Sequence, residues 1–174
     1  MPDIEIRESR PDDLSFIEQL YRAAFPDEDL QPLVRQLLTK EPGILSLVAE
    51  AGDATVGHIL FTLCEIAGSE DRAALLAPLA VAPEWQRKGI GSALIREGLS
   101  RLEREGVVHV YVLGDPAYYG RNGFTPEPAI APPYPLPAEW REAWQSLGLG
   151  SAPSPDHGKI KLPEVWMQPA LWGP

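Results

Sequence analysis

The sequence predicts an α/β fold built on a mixed central sheet, and three observations carry that prediction. Apolar residues change period along the chain, from the two-residue alternation of strands to the wider spacing of helices, in the order β, α, α, β, β, β, α, β. The stretch Leu75–Leu113 reads strand, amphipathic helix, strand, and such a crossover makes its two strands parallel. The 174 residues are 44% hydrophobic, which supplies the core of a single domain over residues 1–174.

Each element has its own cause. "IEIRE" alternates apolar and charged residues as a half-exposed strand does, and Pro11, Asp12 and Asp13 then provide the chemistry of a helix start. Leu14, Ile17, Leu20, Tyr21, Ala24 and Phe25 follow at helical spacing. After "PDED" a second helix carries Leu30, Leu33, Val34, Leu37 and Leu38, and "EPG" at Glu41 to Gly43 stops it. "ILSLVAE" and "TVGHILFTLCEI" flank the turn "AGDA" as the arms of a hairpin, and "SEDR" leads into the strand "AALLAPLAV".

From Gly89 to Glu105, Leu94, Ile95, Gly98, Leu99 and Leu102 share one face, opposite Arg96, Glu97, Arg101 and Arg104, which predicts an amphipathic helix before the strand "VVHVYVL". Nine prolines between Pro126 and Pro163 make residues 126–163 an excursion without long regular structure. Within it only "AEWREAWQSL" has helical spacing, and "EVWMQPALW" predicts a last strand over 164–172.

Charge and cysteine content narrow the function classes. A net charge of -10, from 25 Asp+Glu against 15 Lys+Arg, repels phosphate backbones, so nucleic acid is not an expected partner. A lone Cys64 makes no internal disulfide, no basic-then-apolar leader opens "MPDIEIRESR", and no apolar run approaches the roughly 20 residues of a membrane span. A cytoplasmic protein with no membrane partner and no metal ion is expected.

Chemistry concentrates at "LAPLAVAPEWQRKGIGSALI", Leu76 to Ile95. A helix N-terminus leaves about four backbone N–H groups unpaired and carries roughly half a positive charge. Gly89 and Gly91 let a ligand approach the backbone, while Arg87 and Lys88 add formal charge, so the segment suits a phosphate group. A dinucleotide fingerprint would need glycine where Leu94 stands, and the Gly-Lys-Ser/Thr ending of a phosphate-loop NTPase is absent. Taken alone, "QRKGIG" fits an anion site and a plain tight turn equally.

In its context the stretch resembles the acetyl-CoA-binding motif of the GNAT N-acetyltransferases, Q/R-x-x-G-x-G/A, with Gln86, Gly89 and Gly91 at the motif positions. "GDPAYYGRNGF", Gly114 to Phe124, is similar to that superfamily's A-x-x-F-Y-x-x-x-G-F region, and with "PLAV" it resembles the YhbS-like branch of predicted acetyltransferases. The resemblance covers about residues 3 to 126 and implies the GNAT order β-α-α-β-β-β-α-β-α-β, with a splayed parallel strand pair binding acyl-CoA. Pro78 suits a strand bulged or unpaired there, because proline cannot donate to a ladder; a strand that merely starts near Leu79 is the other reading.

The same resemblance implies site residues. Leu79, Ala80 and Val81 offer main chain to the pantetheine and thioester, and Gln86, Arg87, Lys88, Gly89, Ile90, Gly91 and Ser92 cradle the pyrophosphate. Tyr119 meets the coenzyme sulfur and serves as general acid, since a phenol near pKa 10 can protonate a thiolate whose conjugate acid lies near about 8.5. An aromatic that only covers the coenzyme is its alternative role, and Tyr118, about 100° round the helix, is expected in the core. Some relatives carry a glutamate in the fourth strand, which "AALLAPLAV" lacks, so Glu65, Glu50, the "DEDL" loop and His58 stay open as bases, with Glu65 put forward, and an ordered water chain is the other solution.

The expected activity is transfer of the acetyl group of acetyl-CoA to a primary amine by direct attack in a ternary complex, on a small molecule or a peptide or protein amine. The alternative is a non-catalytic acyl-CoA-binding or sensing domain, which would tolerate loss of a reactive tyrosine. Asp27, Glu28 and Asp29 favour a cationic acceptor, with Tyr134, Trp140 and Trp144 as an opposite wall or simply as docking for a small helix, and a homodimer stays open.

Overall fold

The computed structural model describes residues 3–151 and 153–173. They fall into two compact units, one formed by the chain up to Phe61 with Ala77–Gly98, the other by Thr62–Leu76 with the chain from Leu99 onward.

In the first unit β1 (Ile4–Glu8) runs antiparallel to β2 (Ile44–Ala51), from Ile4↔Ala51 to Glu8↔Leu47. The "PDD" start signal forms a 3-10 turn, Pro11–Asp13, before α1 (Leu14–Ala24). The Asp13 carboxylate accepts from the Arg10 amide at 2.6 Å and from the Arg7 guanidinium at 2.8 and 2.9 Å. This pairing holds its pKa below the usual carboxylate value, chiefly through the Arg7 hydrogen bond. α1 buries Ile17, Leu20 and Tyr21, and α2 (Gln31–Lys40) buries Val34 and Leu37. Ile17, Leu20, Tyr21 and Val34 pack with Val48 and with Ala80 and Ala82 into one core cluster.

β3 (Ala54–Ile66), β4 (Arg72–Val81) and α3 (Ile90–Arg104) each begin in one unit and end in the other. Between β2 and β3, Gly52 takes the turn with φ 61. The first half of α3 lies on β3 through glycines: a Cβ at Gly57 would stand 3.0 Å from Ile90 and from Leu94, and one at Gly98 only 2.2 Å from Phe61. The apolar helix face read from the sequence is therefore real, and Gly98 belongs to it as a close-approach position.

The second unit is built on β5 (Val107–Leu113). Its parallel ladder with β4 runs from Arg72↔Val107 to Leu75↔Tyr111 and goes no further, although β4 continues through Pro78 to Val81. α4 (Pro116–Gly120), β6 (Thr125–Pro126) and β7 (Ile130–Ala131) follow. β8 (Trp144–Gly148) pairs antiparallel with β5 and β6, and β9 (Gly158–Lys161) pairs parallel with β7 and antiparallel with the end of β3. The mixed α/β architecture is the predicted one.

Three expectations need correction. "AEWREAWQSL" is not an α-helix: Ala138–Ala143 forms a 3-10 segment and Trp144 starts β8. The free edge of β5 takes a strand there, and Trp144 stacks on Tyr111 with ring centroids 5.6 Å apart, so tertiary pairing overrides a weak local spacing. Residues 164–172 form two 3-10 turns, Glu164–Trp166 and Pro169–Trp172, in place of a last strand. Prolines at or before each turn set φ and withhold a ladder donor. Tyr118 is half-buried rather than in the core, with the Arg121 guanidinium over its ring at 5.5 Å. Among the described residues no helix is long and apolar enough to cross a membrane.

Candidate functional site

Apart from Tyr119, the residues expected around the coenzyme lie in the first unit. Along the end of β4, Ala80 turns into the core cluster at 2% exposure while its neighbours Leu79 and Val81 are half-buried, as strand alternation requires. A 3-10 turn, Pro83–Trp85, closed by the Trp85 amide on the Ala82 carbonyl at 2.8 Å, carries the chain off the strand. The Gln86 side-chain amide then donates back to the Val81 carbonyl at 3.0 Å. The motif glutamine thus fastens the loop to the strand end.

Arg87 has φ 63 and Gly89 φ 85. A left-handed arginine costs on the order of 1 kcal/mol, and such a conformation persists where the surroundings hold it. Gly89 is required by its φ rather than by crowding, because a Cβ there would meet nothing within 4 Å. The Lys88 ammonium sits over the Trp85 ring, 5.0 Å from its centroid, and Trp85 is itself packed against the core cluster. At the start of α3 the Ala93 amide donates to the Gly89 carbonyl at 3.0 Å, so the amides of Ile90, Gly91 and Ser92 precede the intrahelical ladder. Ile90 faces inward at 4% exposure, which leaves its main chain alone for a ligand. Helix start, small residues and two cations are the features an anion-binding turn needs.

Tyr119 lies in the second unit, on α4, whose start is capped by the Asp115 carboxylate accepting from the Ala117 amide at 2.9 Å. Its ring lies against Gly114, where a Cβ would stand 2.5 Å away, and meets Phe124 edge-on with centroids 5.8 Å apart. The Asn122 and Phe124 amides both donate to the Tyr119 carbonyl, at 2.9 and 3.2 Å. Gly114 and the Gly123–Phe124 pair of the motif therefore fix the tyrosine. Burial raises its phenol pKa above the ordinary value of 10, with Tyr118 and Asp115 adding to the effect, so it stays protonated at neutral pH.

The base candidates are placed quite differently. Glu65 is exposed on β3, paired across the strands with Lys161. Glu50 is engaged by the Arg7 guanidinium. Asp27, Glu28 and Asp29 border a cavity of about 290 Å³ with Arg22, Phe25 and Gln31. His58 is fully buried between the Tyr21 hydroxyl on Nδ1 and the Ser46 hydroxyl on Nε2, each at 2.8 Å. Desolvation pulls its pKa down to about 3 against a small opposing pull from Asp13, so it is a neutral, satisfied core histidine.

Sequence reasoning missed the seat that Trp85 gives Lys88 and the room that Gly114 gives Tyr119. The signal for the second was present, a glycine directly before the α4 cap.

Residues 14–124 match the acetyltransferase (GNAT) family. The chain is 38% identical over 156 residues to the uncharacterized N-acetyltransferase YjhQ of Escherichia coli, covering 86% of each. Its fold matches the crystal structure of a GNAT family acetyltransferase from Brucella melitensis in complex with acetyl-CoA, with a TM-score of 0.76 and 32% identity over 95% of this chain and 99% of that one. It also matches the E. coli N-acetyltransferase YhbS in complex with CoA, with a TM-score of 0.85 and 28% identity over 97% and 94%.

Proposed function

The chain belongs to the GNAT family of acetyltransferases, and from that premise we propose that it moves the acetyl group of acetyl-CoA to a primary amine by direct attack in a ternary complex. The observation that carries this reading is the geometry of the turn at the start of α3, with Arg87 and Gly89 left-handed and Gln86 tied to Val81, together with the coenzymes bound in the Brucella and YhbS relatives. The main chain of Gln86–Ser92 holds the pyrophosphate, with Arg87 and Lys88 as counter-charge, and the main chain of Leu79, Ala80 and Val81 faces the pantetheine and thioester.

In the chemical step the amine nitrogen bonds to the thioester carbon and the C–S bond breaks. Tyr119 donates its phenolic proton to the departing thiolate, and the proton lost by the amine restores the balance.

The acceptor in this reading is a cationic amine, on a small molecule or a peptide, drawn by the net charge of -10 and by Asp27, Glu28 and Asp29. Accordingly kcat/KM falls as salt rises, and acidic acceptors perform worst.

Free-thiol release from acetyl-CoA across an amine panel tests the function. Tyr119→Phe should lower kcat by roughly ten- to a thousand-fold with coenzyme affinity within a few-fold, and Tyr118→Phe should do much less. Glu65→Gln separates that carboxylate from water as the proton acceptor, since only the former predicts a loss of about tenfold or more. Coenzyme binding with no thiol release for any amine would replace the enzyme by a sensing domain.

A further inference from the structure

β8 lies beyond the residues that match the family, yet with Ala143 it holds the segment carrying Tyr119 at both of its ends. The ladder between β5 and β8 closes at Leu113↔Trp144, and the Gly114 amide extends it by one bond, donating to the Ala143 carbonyl at 2.9 Å. After α4 the chain returns to β8 through Thr125↔Ser146 and Pro126↔Gln145, and a Cβ at Gly123 would stand 2.9 Å from Leu147.

One side chain of β8 reaches back to the start of α4. Gln145 is buried at 1% exposure, and its amide nitrogen donates to the Gly114 carbonyl at 3.1 Å and to the Ala143 carbonyl at 3.2 Å. Two carbonyl acceptors leave only one orientation for that amide, with both of its N–H groups spent on them. A buried primary amide is costly without such bonds, whereas a buried leucine or valine is not, so the clamp is what the glutamine contributes here.

The clamped group is the one on which Tyr119 is seated. The Gly114 carbonyl belongs to the peptide that opens α4, whose next residue, Asp115, caps the helix with its carboxylate and accepts from the Tyr119 amide at 3.0 Å. Gly114 also lies under the tyrosine ring, since a Cβ there would meet Cε2 at 2.5 Å. Helix start and ring contact thus both depend on one peptide, and Gln145 holds it.

We propose that Gln145 is a positioning residue for Tyr119: by clamping the Gly114–Asp115 peptide it sets where the phenolic hydroxyl stands when the thiolate departs. The proposal rests on the reading of Tyr119 as general acid. Gln145 acts through Gly114 and transfers no proton itself. A misplacement of about 1 Å at a reacting group is enough to cost on the order of a hundredfold in rate.

A double-mutant cycle on acetyl transfer from acetyl-CoA, with the best amine of the panel, tests this. Gln145→Met keeps an unbranched side chain and removes both donors. It should lower kcat roughly ten- to a hundredfold while KM for acetyl-CoA stays within about twofold. In a Tyr119→Phe background the same substitution should cost less than about twofold, because the group it positions is already gone. Gln145→Leu should repeat both results. A residue that only supported the fold would lower the two backgrounds alike. Unchanged kcat, a loss confined to KM, losses that multiply across the two positions, or failure of both Gln145 variants to fold would each overturn the proposal and leave the general-acid reading standing. A Tyr119→Phe variant with native kcat would remove that reading and this proposal with it.

Discussion

Lowering the pH should unfold this protein through one buried imidazole. His58 has 0% exposure, and both ring nitrogens are held by hydroxyls at 2.8 Å, so a second proton would have to displace a partner and place a charge in a dry core. In the unfolded chain the imidazole takes up a proton near its ordinary pKa of 6.5, whereas the folded chain resists until about 3. Between those values the unfolded state binds more protons, so stability is complete above pH 6.5 and falls as the pH drops through the window. At about 1.4 kcal/mol per pH unit the loss is about 2 kcal/mol at pH 5 and about 4 kcal/mol by pH 3. That is a quarter or more of the roughly 5–15 kcal/mol that holds a typical domain.

Urea denaturation of the native chain and of His58→Gln from pH 7.5 to 4 measures it, because glutamine retains a donor and an acceptor without titrating. The native line should be steeper than the variant line by about 1.4 kcal/mol per pH unit below pH 6. Asp13 acts in the same direction below the ordinary carboxylate range, and it is common to both proteins. Parallel lines would refute the buried neutral histidine.

Gly91→Asp places a carboxylate at the start of α3 and should abolish acetyl-CoA binding by calorimetry in a variant that still melts cooperatively; Arg87→Glu, at an exposed position, should weaken it without touching the fold. Unchanged affinity in both would remove the coenzyme site from this turn. Gly98→Ala would ordinarily stabilise a helix by about 1 kcal/mol. Here its Cβ would stand 2.2 Å from a fully buried Phe61, and overpacking of that kind costs about 1–3 kcal/mol, so a lower melting temperature is expected and Phe61→Leu should restore it. A raised melting temperature in Gly98→Ala alone would contradict the packing of α3 on β3. Because Tyr119 keeps its proton beyond the ordinary phenol range, no loss of kcat from its ionisation should appear up to pH 10 in a pH–rate profile.

What the sequence determined by itself was everything set by local period and local backbone chemistry. The order of elements through β5, the hairpin at Gly52 and the turn from Gln86 to Ser92 into α3 follow from neighbours a few residues apart, and a left-handed glycine or a helix start needs no distant partner to be recognised. Tertiary structure alone decided the rest. Trp144 belongs to a strand because the edge of β5 and the Tyr111 ring reach it from more than thirty residues away, a contact no helical spacing encodes. His58 is inert because Tyr21 and Ser46 arrive on either side of it, which separates a sealed core histidine from the catalytic base it equally resembled in "VGHILF". Trp85 supports Lys88, and prolines that forbid long regular structure wall a cavity, for the same physical reason: burial and pairing are properties of what the chain brings together in space.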